Sequence, residues 1–88
     1  MQLDRLDLNL LVALDVLLAE RSVTVAVNCL HLSQSATSSA LGRLRDYFDD
    51  RLLVNQGRVT VLTERGRGLI GPVRDVLDGI RDTLSIGS

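Results

Sequence analysis

The sequence predicts a mainly α-helical domain in which three short helices precede a β-hairpin and a longer fourth helix follows it. Leucines and valines recur at spacings of three and four residues over most of the chain, which is typical of amphipathic helices. Between residues 52 and 62 the pattern changes to two short runs rich in β-branched residues, which indicates a hairpin. With 88 residues, 45% of them hydrophobic, the chain is long enough for one small core and too short for two.

Composition excludes several classes of protein. The single cysteine, Cys29, allows no disulfide within the chain, and with His31 it is too few soft ligands for a zinc site, so both are interpreted as structural. No phosphate-binding glycine loop or buried carboxylate pair is indicated, and neither enzymatic activity nor a cofactor is expected. No apolar run approaches the roughly 18 residues of a membrane span, and no signal sequence opens the chain. A cytoplasmic protein without a membrane partner is expected.

The first helix is predicted over residues 4–20. Apolar residues at positions 8, 12 and 16 widen its apolar face, so this helix is expected to be packed on more than one side. Its main stripe consists of Leu3, Leu6, Leu10, Leu14, Leu17 and Leu18.

A second helix is predicted over residues 23–30, with Ser22 as its N-cap. One buried stripe is expected along it, and in the turn that follows Leu32 is expected to point inward. The stripe consists of Val23, Ala26, Val27 and Leu30.

The third helix is predicted over residues 34–48, with Ser33 as its N-cap. Its expected outward face is small and polar and holds no acid before Asp46. A solvated face usually contains more Glu and Lys, which are better helix formers than serine, so something other than helix stability is expected to favour these serines. The predicted inward residues are Ala36, Ala40, Leu41, Leu44, Tyr47 and Phe48, and the outward ones are Gln34, Ser35, Ser38, Ser39, Gly42 and Arg45.

A hairpin with a four-residue tip at 55–58 follows, and Thr63 is predicted to cap a final helix over residues 64–85. Four glycines and Pro72 make this helix intrinsically poor, at about 1 kcal/mol for each glycine and about 3 for an interior proline. Packing must therefore stabilise it, and a second copy of the same helix is the expected source. The predicted dimerisation residues are Leu69, Val73, Val76, Leu77, Ile80 and Leu84.

This order of elements is that of a winged helix-turn-helix domain, predicted over residues 1–63, followed by a linker or dimerisation helix at 64–88. The net charge is −1, yet residues 21–45 hold three arginines and no acid, and residues 51–68 hold four arginines and one acid. All ten basic residues are arginine, whose planar fork of donors suits phosphates and guanine edges. The predicted partner is double-stranded DNA, with the third helix in the major groove and Arg58 at the minor groove or backbone.

The residues also carry a resemblance to a known family. The segments Asp7-Leu8-Asn9-Leu10-Leu11 and Arg21-Ser22-Val23-Thr24 resemble the start of a LysR-type transcriptional regulator. Leu30-His31-Leu32-Ser33-Gln34-Ser35-Ala36-Thr37-Ser38 and Leu62-Thr63-Glu64-Arg65-Gly66 continue the match in order. Gly42-Arg43-Leu44-Arg45 is similar to the branch of nodulation and aromatic-degradation activators.

The resemblance implies a DNA-binding domain and linker helix, paired as a homodimer or higher homo-oligomer. Family members are much longer, bind a small inducer in a C-terminal domain absent from this chain, and act with RNA polymerase. By motif match and position, the DNA-binding candidates are Thr24, Ser33, Gln34, Ser35, Thr37, Ser38, Ser39, Arg43, Arg45 and Arg58.

Several candidates have a second interpretation. Gln34 and Arg58 are either DNA contacts or solvated side chains, and Arg43 can pair with Asp46 or Asp50 instead of a phosphate. Ser39 and Asn55 stand where the family often has arginine, which removes two cations from the expected contact surface. These departures and the net acidity leave an alternative function, a winged-helix interaction module that dimerises and does not bind DNA.

Overall fold

The computed structural model describes residues 6–85 and has the predicted winged-helix architecture. Four helices and a two-stranded antiparallel hairpin follow one another in the expected order. The elements are α1 (Leu8–Glu20), α2 (Val23–Leu30), α3 (Gln34–Phe48), β1 (Leu53–Gln56), β2 (Val59–Leu62) and α4 (Glu64–Leu84).

Side-chain caps set the starts of the helices. Ser22, Ser33 and Thr63 each accept a hydrogen bond from a backbone amide three residues later, as the sequence predicts. Helix α1 begins at Leu8 and not at residue 4, because Asp7 is its cap and accepts from the Leu10 amide at 2.8 Å. Leu3 and the rest of residues 1–5, where the predicted helix begins, lie outside the described residues, as do residues 86–88.

The core is built around α1, which contacts α2, α3 and α4. Helix α4 lies along α1, and an ion pair between Arg74 and Asp15 at 3.3 Å joins their surfaces. Helices α1, α3 and α4 each contribute at least two buried apolar side chains, whereas α2 and the two strands contribute one each. Leu52, in the turn before β1, is also fully buried. The buried cluster contains Leu10, Leu14, Leu17, Leu18, Ala26, Leu41, Leu44, Leu52, Leu53, Leu62, Val73 and Leu77.

Two positions around α3 differ from the prediction. Leu32, expected inside, is 42% exposed, because the left-handed His31 turns the chain and the Leu32 amide bonds to the Val27 carbonyl. Helix α3 faces the core through Thr37, Leu41 and Leu44, so Ala36 lies about 100° away and is exposed.

The hairpin has a two-residue tip and not the predicted four-residue one. Gln56 pairs with Val59, so the strands continue up to Gly57-Arg58. Gly57 has φ +64° at the first tip position, a conformation that glycine adopts without strain and that two-residue hairpin turns favour. The tip places Arg58 at the outer end of the wing.

The base of the wing is a three-residue turn, residues 51–53, which we call the wing-base turn. The Leu53 amide bonds to the Arg51 carbonyl at 2.7 Å, and Leu52 between them has φ +68° with a fully buried side chain. The Leu52 carbonyl accepts from the Thr63 amide at 2.9 Å. A Cβ at Gly66 would lie 2.8 Å from that carbonyl oxygen, so the first turn of α4 approaches the wing-base turn too closely for any other residue.

Candidate nucleic-acid interface

The outer face of α3 presents short polar side chains to solvent. Gln34, Ser35, Ser38 and Ser39 are all exposed, as predicted for a surface that contacts a partner. Ser33 is exposed as well, but its hydroxyl is held by two neighbours, the Ala36 amide at 3.0 Å and the Ser35 hydroxyl at 3.3 Å. The first turn of α3 therefore offers Gln34 as its longest side chain for reading base edges.

Thr37 does not belong to this face. Its side chain is fully buried, and its hydroxyl donates to the Ser33 carbonyl at 3.0 Å. The sequence prediction that Thr37 contacts DNA is wrong because the helix turns this residue into the core.

Arg45 lies at the border of the face and is turned toward the wing. Its Nε donates to the Arg51 carbonyl at 2.8 Å and its Nη2 to the Leu53 carbonyl at 3.0 Å. The predicted role of Arg45 as a direct DNA contact does not fit these bonds, because the planar end of the side chain is held against the wing-base turn.

Arg43 is exposed, and among residues 6–85 it forms no ion pair with Asp46 or Asp50. The alternative interpretation of Arg43 as an ion-pair partner is therefore not what the structure shows. Its guanidinium group is available for an external anion.

A groove of about 410 Å³ separates α3 from the wing and ends at the start of α2. Thr24 and Ser38 line it on the helix side, and the N-terminus of α2 lies at its end, where a phosphate is favoured. On the wing side the groove is lined by three residues that the sequence prediction missed, Arg51, Asn55 and Thr60. The second basic stretch of the sequence, residues 51–68, was the signal that could have identified Arg51.

The wing presents a cation and an apolar residue at its end. Arg58 is exposed at the tip and Val59 beside it is 60% exposed. Behind the tip the Thr60 hydroxyl donates to Asn55 Oδ1 at 3.0 Å, which joins the two strands across the hairpin. The side chain of Arg58 is therefore carried by a short, paired hairpin.

Acidic groups cluster at the far end of α3. Asp46 and Asp49 are exposed there, whereas the first half of the helix carries none. Asp50 is bound inward: hydrogen bonds from the Thr63 hydroxyl and the Leu52 amide, and the nearby Arg65, hold the pKa of its carboxyl below the usual 3.8. A polyanion therefore meets the least repulsion at the N-terminal half of α3 and the wing tip.

The predicted dimerisation residues divide between two sides of α4. Val73 and Leu77 are 6% and 2% exposed because they pack into the chain's own core, and the prediction that they pair with a second copy is wrong. Leu69 is half-buried against the same core. The remaining predicted residues lie with Gly79 and Thr83 on an apolar surface toward the end of the helix. This α4 apolar surface consists of Val76, Gly79, Ile80, Thr83 and Leu84.

Among residues 6–85, no three or more His, Cys, Asp or Glu side chains are grouped so as to hold a metal ion. None of the helices found there is long and apolar enough to span a bilayer.

Comparison with known families decides between the two functions left open by the sequence. Residues 8–67 match the family described as bacterial regulatory helix-turn-helix protein, lysR family. The chain belongs to this family. It is a LysR-type DNA-binding domain, and nothing in these comparisons supports the interaction module that does not bind DNA.

Relatives and solved structures agree with this membership. Nodulation protein D 1 of Rhizobium tropici is 53% identical over 77 residues, which cover 88% of this chain and 25% of that protein. Nodulation protein D of Azorhizobium caulinodans is 49% identical over 87 residues, covering 99% of this chain and 28% of that protein. The crystal structure of the probable transcriptional regulator PA0477 from Pseudomonas aeruginosa aligns with TM-score 0.87 and 41% identity over 98% of this chain and 29% of that one.

A complex of the BenM DNA-binding domain with catB site 1 DNA has the same fold. It aligns with TM-score 0.82 and 21% identity over 91% of this chain and 90% of that one. The LysR-type chain described here spans about a quarter of the length of the curated relatives it matches.

Proposed function

We propose that this LysR-type domain binds operator DNA as a homodimer, with α3 in the major groove and the wing at the minor groove or backbone. The observation that supports it best is the outer face of α3, where Gln34 and three serines are exposed on a helix with no acid in its first half. A narrow, small and polar helix face fits the major groove, which admits one helix.

The exposed side chains divide into two roles. Gln34 reads a base edge, since its amide can bond to adenine through two hydrogen bonds. Ser35, Ser38 and Ser39 add less selective contacts to bases or phosphates. The remaining positions, which neutralise or bond the phosphate backbone, are Thr24, Ser33, Arg43, Arg51 and Arg58.

The α4 apolar surface is the proposed contact between two copies. Val76 and Leu84 are 51% and 73% exposed in one copy of the chain. Large apolar residues that are exposed side by side mark a surface that a partner covers. Pairing through this surface gives a two-fold axis, and the operator is then expected to be pseudo-palindromic, with half-sites about one helical turn of DNA apart or a multiple of it.

The full-length protein is proposed to act in the bacterial cytoplasm as a transcriptional activator without enzymatic activity. A C-terminal domain outside this chain binds a small inducer, and RNA polymerase is the further partner. These proposals rest on family membership and on the nodulation proteins among the relatives, not on residues of this chain.

The test is a titration of the chain against a fluorescein-labelled duplex of mixed sequence and against genomic fragments, followed by anisotropy at several salt concentrations. Binding that weakens steeply with salt is expected, because each neutralised phosphate contributes about 0.9 to the slope of log K against log salt. Selective binding to particular fragments identifies the operator.

Two variants separate the proposed roles. Arg58→Ala is expected to weaken binding to every duplex and to reduce the salt slope by about one. Gln34→Ala is expected to cost about 1–3 kcal/mol on the operator and to relax the preference at one base position. Arg81→Ala, at an exposed arginine near the end of α4, is the matched control. It should leave the affinity, the salt slope and the base preference unchanged. A folded chain that binds no duplex at low salt contradicts the proposal.

A further inference from the structure

The wing-base turn holds a backbone conformation that does not form without support. Its Leu53-to-Arg51 hydrogen bond closes a turn of three residues around a leucine at φ +68°. Leucine rarely adopts positive φ, and a turn of this kind is strained. Bonds from the surrounding structure must therefore stabilise it, and they come from two directions.

On the α3 side the support is a single side chain. The Nε of Arg45 donates to the Arg51 carbonyl at 2.8 Å, the same oxygen that closes the turn, and Nη2 donates to the Leu53 carbonyl at 3.0 Å. The two carbonyls lie on either side of Leu52. One guanidinium group thus spans the turn and binds both of its ends.

On the other side the support comes from Asp50, in the loop after α3, and from Thr63, the cap of α4. Asp50 Oδ1 accepts from the Leu52 amide at 2.7 Å and from the Thr63 hydroxyl at 2.6 Å. The Thr63 amide in turn donates to the Leu52 carbonyl. Both polar backbone groups of Leu52 are therefore bonded, the amide to Asp50 and the carbonyl to Thr63. Among the described residues, Arg45 is the one residue of α3 whose side chain bonds to the turn.

We infer that Arg45 is a positioning residue for DNA recognition: it fixes the wing relative to the recognition helix by bridging the ends of the wing-base turn. Arg58 at the tip depends on this bridge, because strand β1 starts within the turn and carries the tip at its other end. The role requires the fork of donors on a guanidinium group, which the single ammonium group of lysine cannot reproduce at two carbonyls.

This inference rests on the proposed function, so its first test uses DNA affinity. With the mixed-sequence duplex, Arg58→Ala is expected to weaken binding roughly tenfold in the wild-type chain. In an Arg45→Lys background the same Arg58→Ala change should cost less than about threefold, since the tip is no longer held at the DNA. Arg81→Lys, at an exposed arginine of α4 outside the proposed DNA contacts, is the matched control, and in that background the full effect of Arg58→Ala should remain.

The charge-conserving substitution separates positioning from a phosphate contact. Arg45→Lys keeps the positive charge, so a direct phosphate contact by Arg45 predicts nearly unchanged affinity and an unchanged effect of Arg58→Ala. Both results together overturn the inference. Arg45→Gln, which retains one donor group, is the second variant if Arg45→Lys lowers the melting temperature so far that the chain is unfolded at the assay temperature.

The second test needs no DNA and remains decisive if the chain fails to bind any duplex. Amide ¹⁵N relaxation of the free protein reports the order of residues 54–60 in the wing. Order parameters close to those of the helices, about 0.85, are expected in the wild type, and a fall toward 0.6 or below in Arg45→Lys. Unchanged wing order in a folded Arg45→Lys protein overturns the inference whatever the affinities show. If wing order is lost in Arg45→Lys but the wild-type chain binds no duplex, the inference that Arg45 fixes the wing stands and the proposed function is contradicted.

Discussion

The hydroxyl of Thr63 donates to Asp50 Oδ1 at 2.6 Å, so the cap of α4 is bonded directly to the loop that opens the wing. The same hydroxyl oxygen accepts from the Gly66 amide at 3.0 Å, and the Thr63 amide donates to Leu52. One residue thus ends the wing, begins α4 and holds the wing-base turn. This gives a physical reason for the threonine and the glycine in the segment Leu62-Thr63-Glu64-Arg65-Gly66.

The close approach at Gly66 predicts a loss of stability on adding one methyl group. Gly66→Ala places a Cβ 2.8 Å from the Leu52 carbonyl, where backbone and not a flexible side chain must move. We expect the free energy of unfolding to fall by about 1–2 kcal/mol, the overpacking cost less the gain in helix propensity. Urea denaturation followed by circular dichroism measures it.

Gly42→Ala is the matched control in α3. No atom lies within 4 Å of the Cβ it adds, so the free energy of unfolding should rise by about 0.5–1 kcal/mol through helix propensity alone. Equal effects of the two substitutions, in either direction, would contradict the close approach between α4 and the wing-base turn.

Asp50 predicts a loss of stability in acid. Its pKa is below 3.8 in the folded chain, so the ionised carboxylate contributes stability that is complete above the unfolded pKa and is lost as the pH falls through the folded value. The free energy of unfolding of the wild type should therefore decrease below about pH 4. In Asp50→Asn this decrease should be smaller, because the amide does not titrate.

The neighbouring Asp49→Asn provides the comparison for that experiment. Asp49 is exposed at the left-handed end of α3, a conformation that asparagine also adopts readily. This substitution leaves the Thr63 and Leu52 hydrogen bonds to Asp50 in place, so the decrease attributed to Asp50 should remain. Denaturant titrations between pH 2.5 and 6 (roughly the range over which carboxylates titrate) measure all three proteins. Superimposable wild-type and Asp50→Asn curves would show that the Thr63 and Leu52 hydrogen bonds do not select the charged form.

Leu77 is predicted to stabilise the chain itself. Its side chain is 2% exposed in the core shared by α4 and α1, so Leu77→Ala removes buried methyl groups and leaves a cavity. A loss of about 2–5 kcal/mol in the free energy of unfolding is expected. The denaturation must be done at one fixed protein concentration, since dimerisation adds a concentration-dependent contribution. A loss below about 1 kcal/mol would place Leu77 outside the core.

Val76 is predicted to affect association instead. At 51% exposure it contributes little to the fold of one copy, but Val76→Asp puts a charge into the α4 apolar surface. We expect the dimer dissociation constant to rise roughly tenfold or more, since a charge buried without a partner is costly. Sedimentation velocity over a range of concentrations measures it.

Gly71→Asp adds the same charge on the other side of α4. The added Cβ meets no atom within 4 Å, and the position is exposed. Its dimer constant should stay within about threefold of the wild type, a change expected from charge repulsion across a Debye length. Equal weakening by both substitutions would mean that net charge and not the α4 apolar surface controls pairing.

Local signals in the sequence predicted most of the elements and three of the four helix starts. The caps Ser22, Ser33 and Thr63 were identifiable because a hydroxyl residue precedes each periodic segment. The capping hydrogen bond joins residues only three apart, so the local sequence is enough to predict it. Asp7 meets the same rule, but the apolar spacing that continues upstream of it suggested a start at residue 4. The hairpin tip was predicted too long because Asn55 and Gln56 resemble turn residues and yet pair with Thr60 and Val59.

The errors in the site have one cause, which is tertiary packing. Sequence periodicity places Val73 and Val76 on one stripe of α4, but only the position of α1 determines that Val73 is covered and Val76 is not. Likewise the sequence shows that Arg45 is basic and beside the outer face of α3. It does not show that the carbonyls of Arg51 and Leu53 lie within reach of its side chain.

The two ends of the wing differ in their tolerance to changes of length. At the tip, Gly57 and Arg58 are exposed and follow the last strand pair, so inserted residues would extend into solvent without breaking a bond. At the base, one residue added or removed between Asp50 and Leu53 would displace the buried Leu52 and the carbonyls bonded to it. An inserted residue is therefore expected to be tolerated at the tip of the wing and to destabilise the chain at its base.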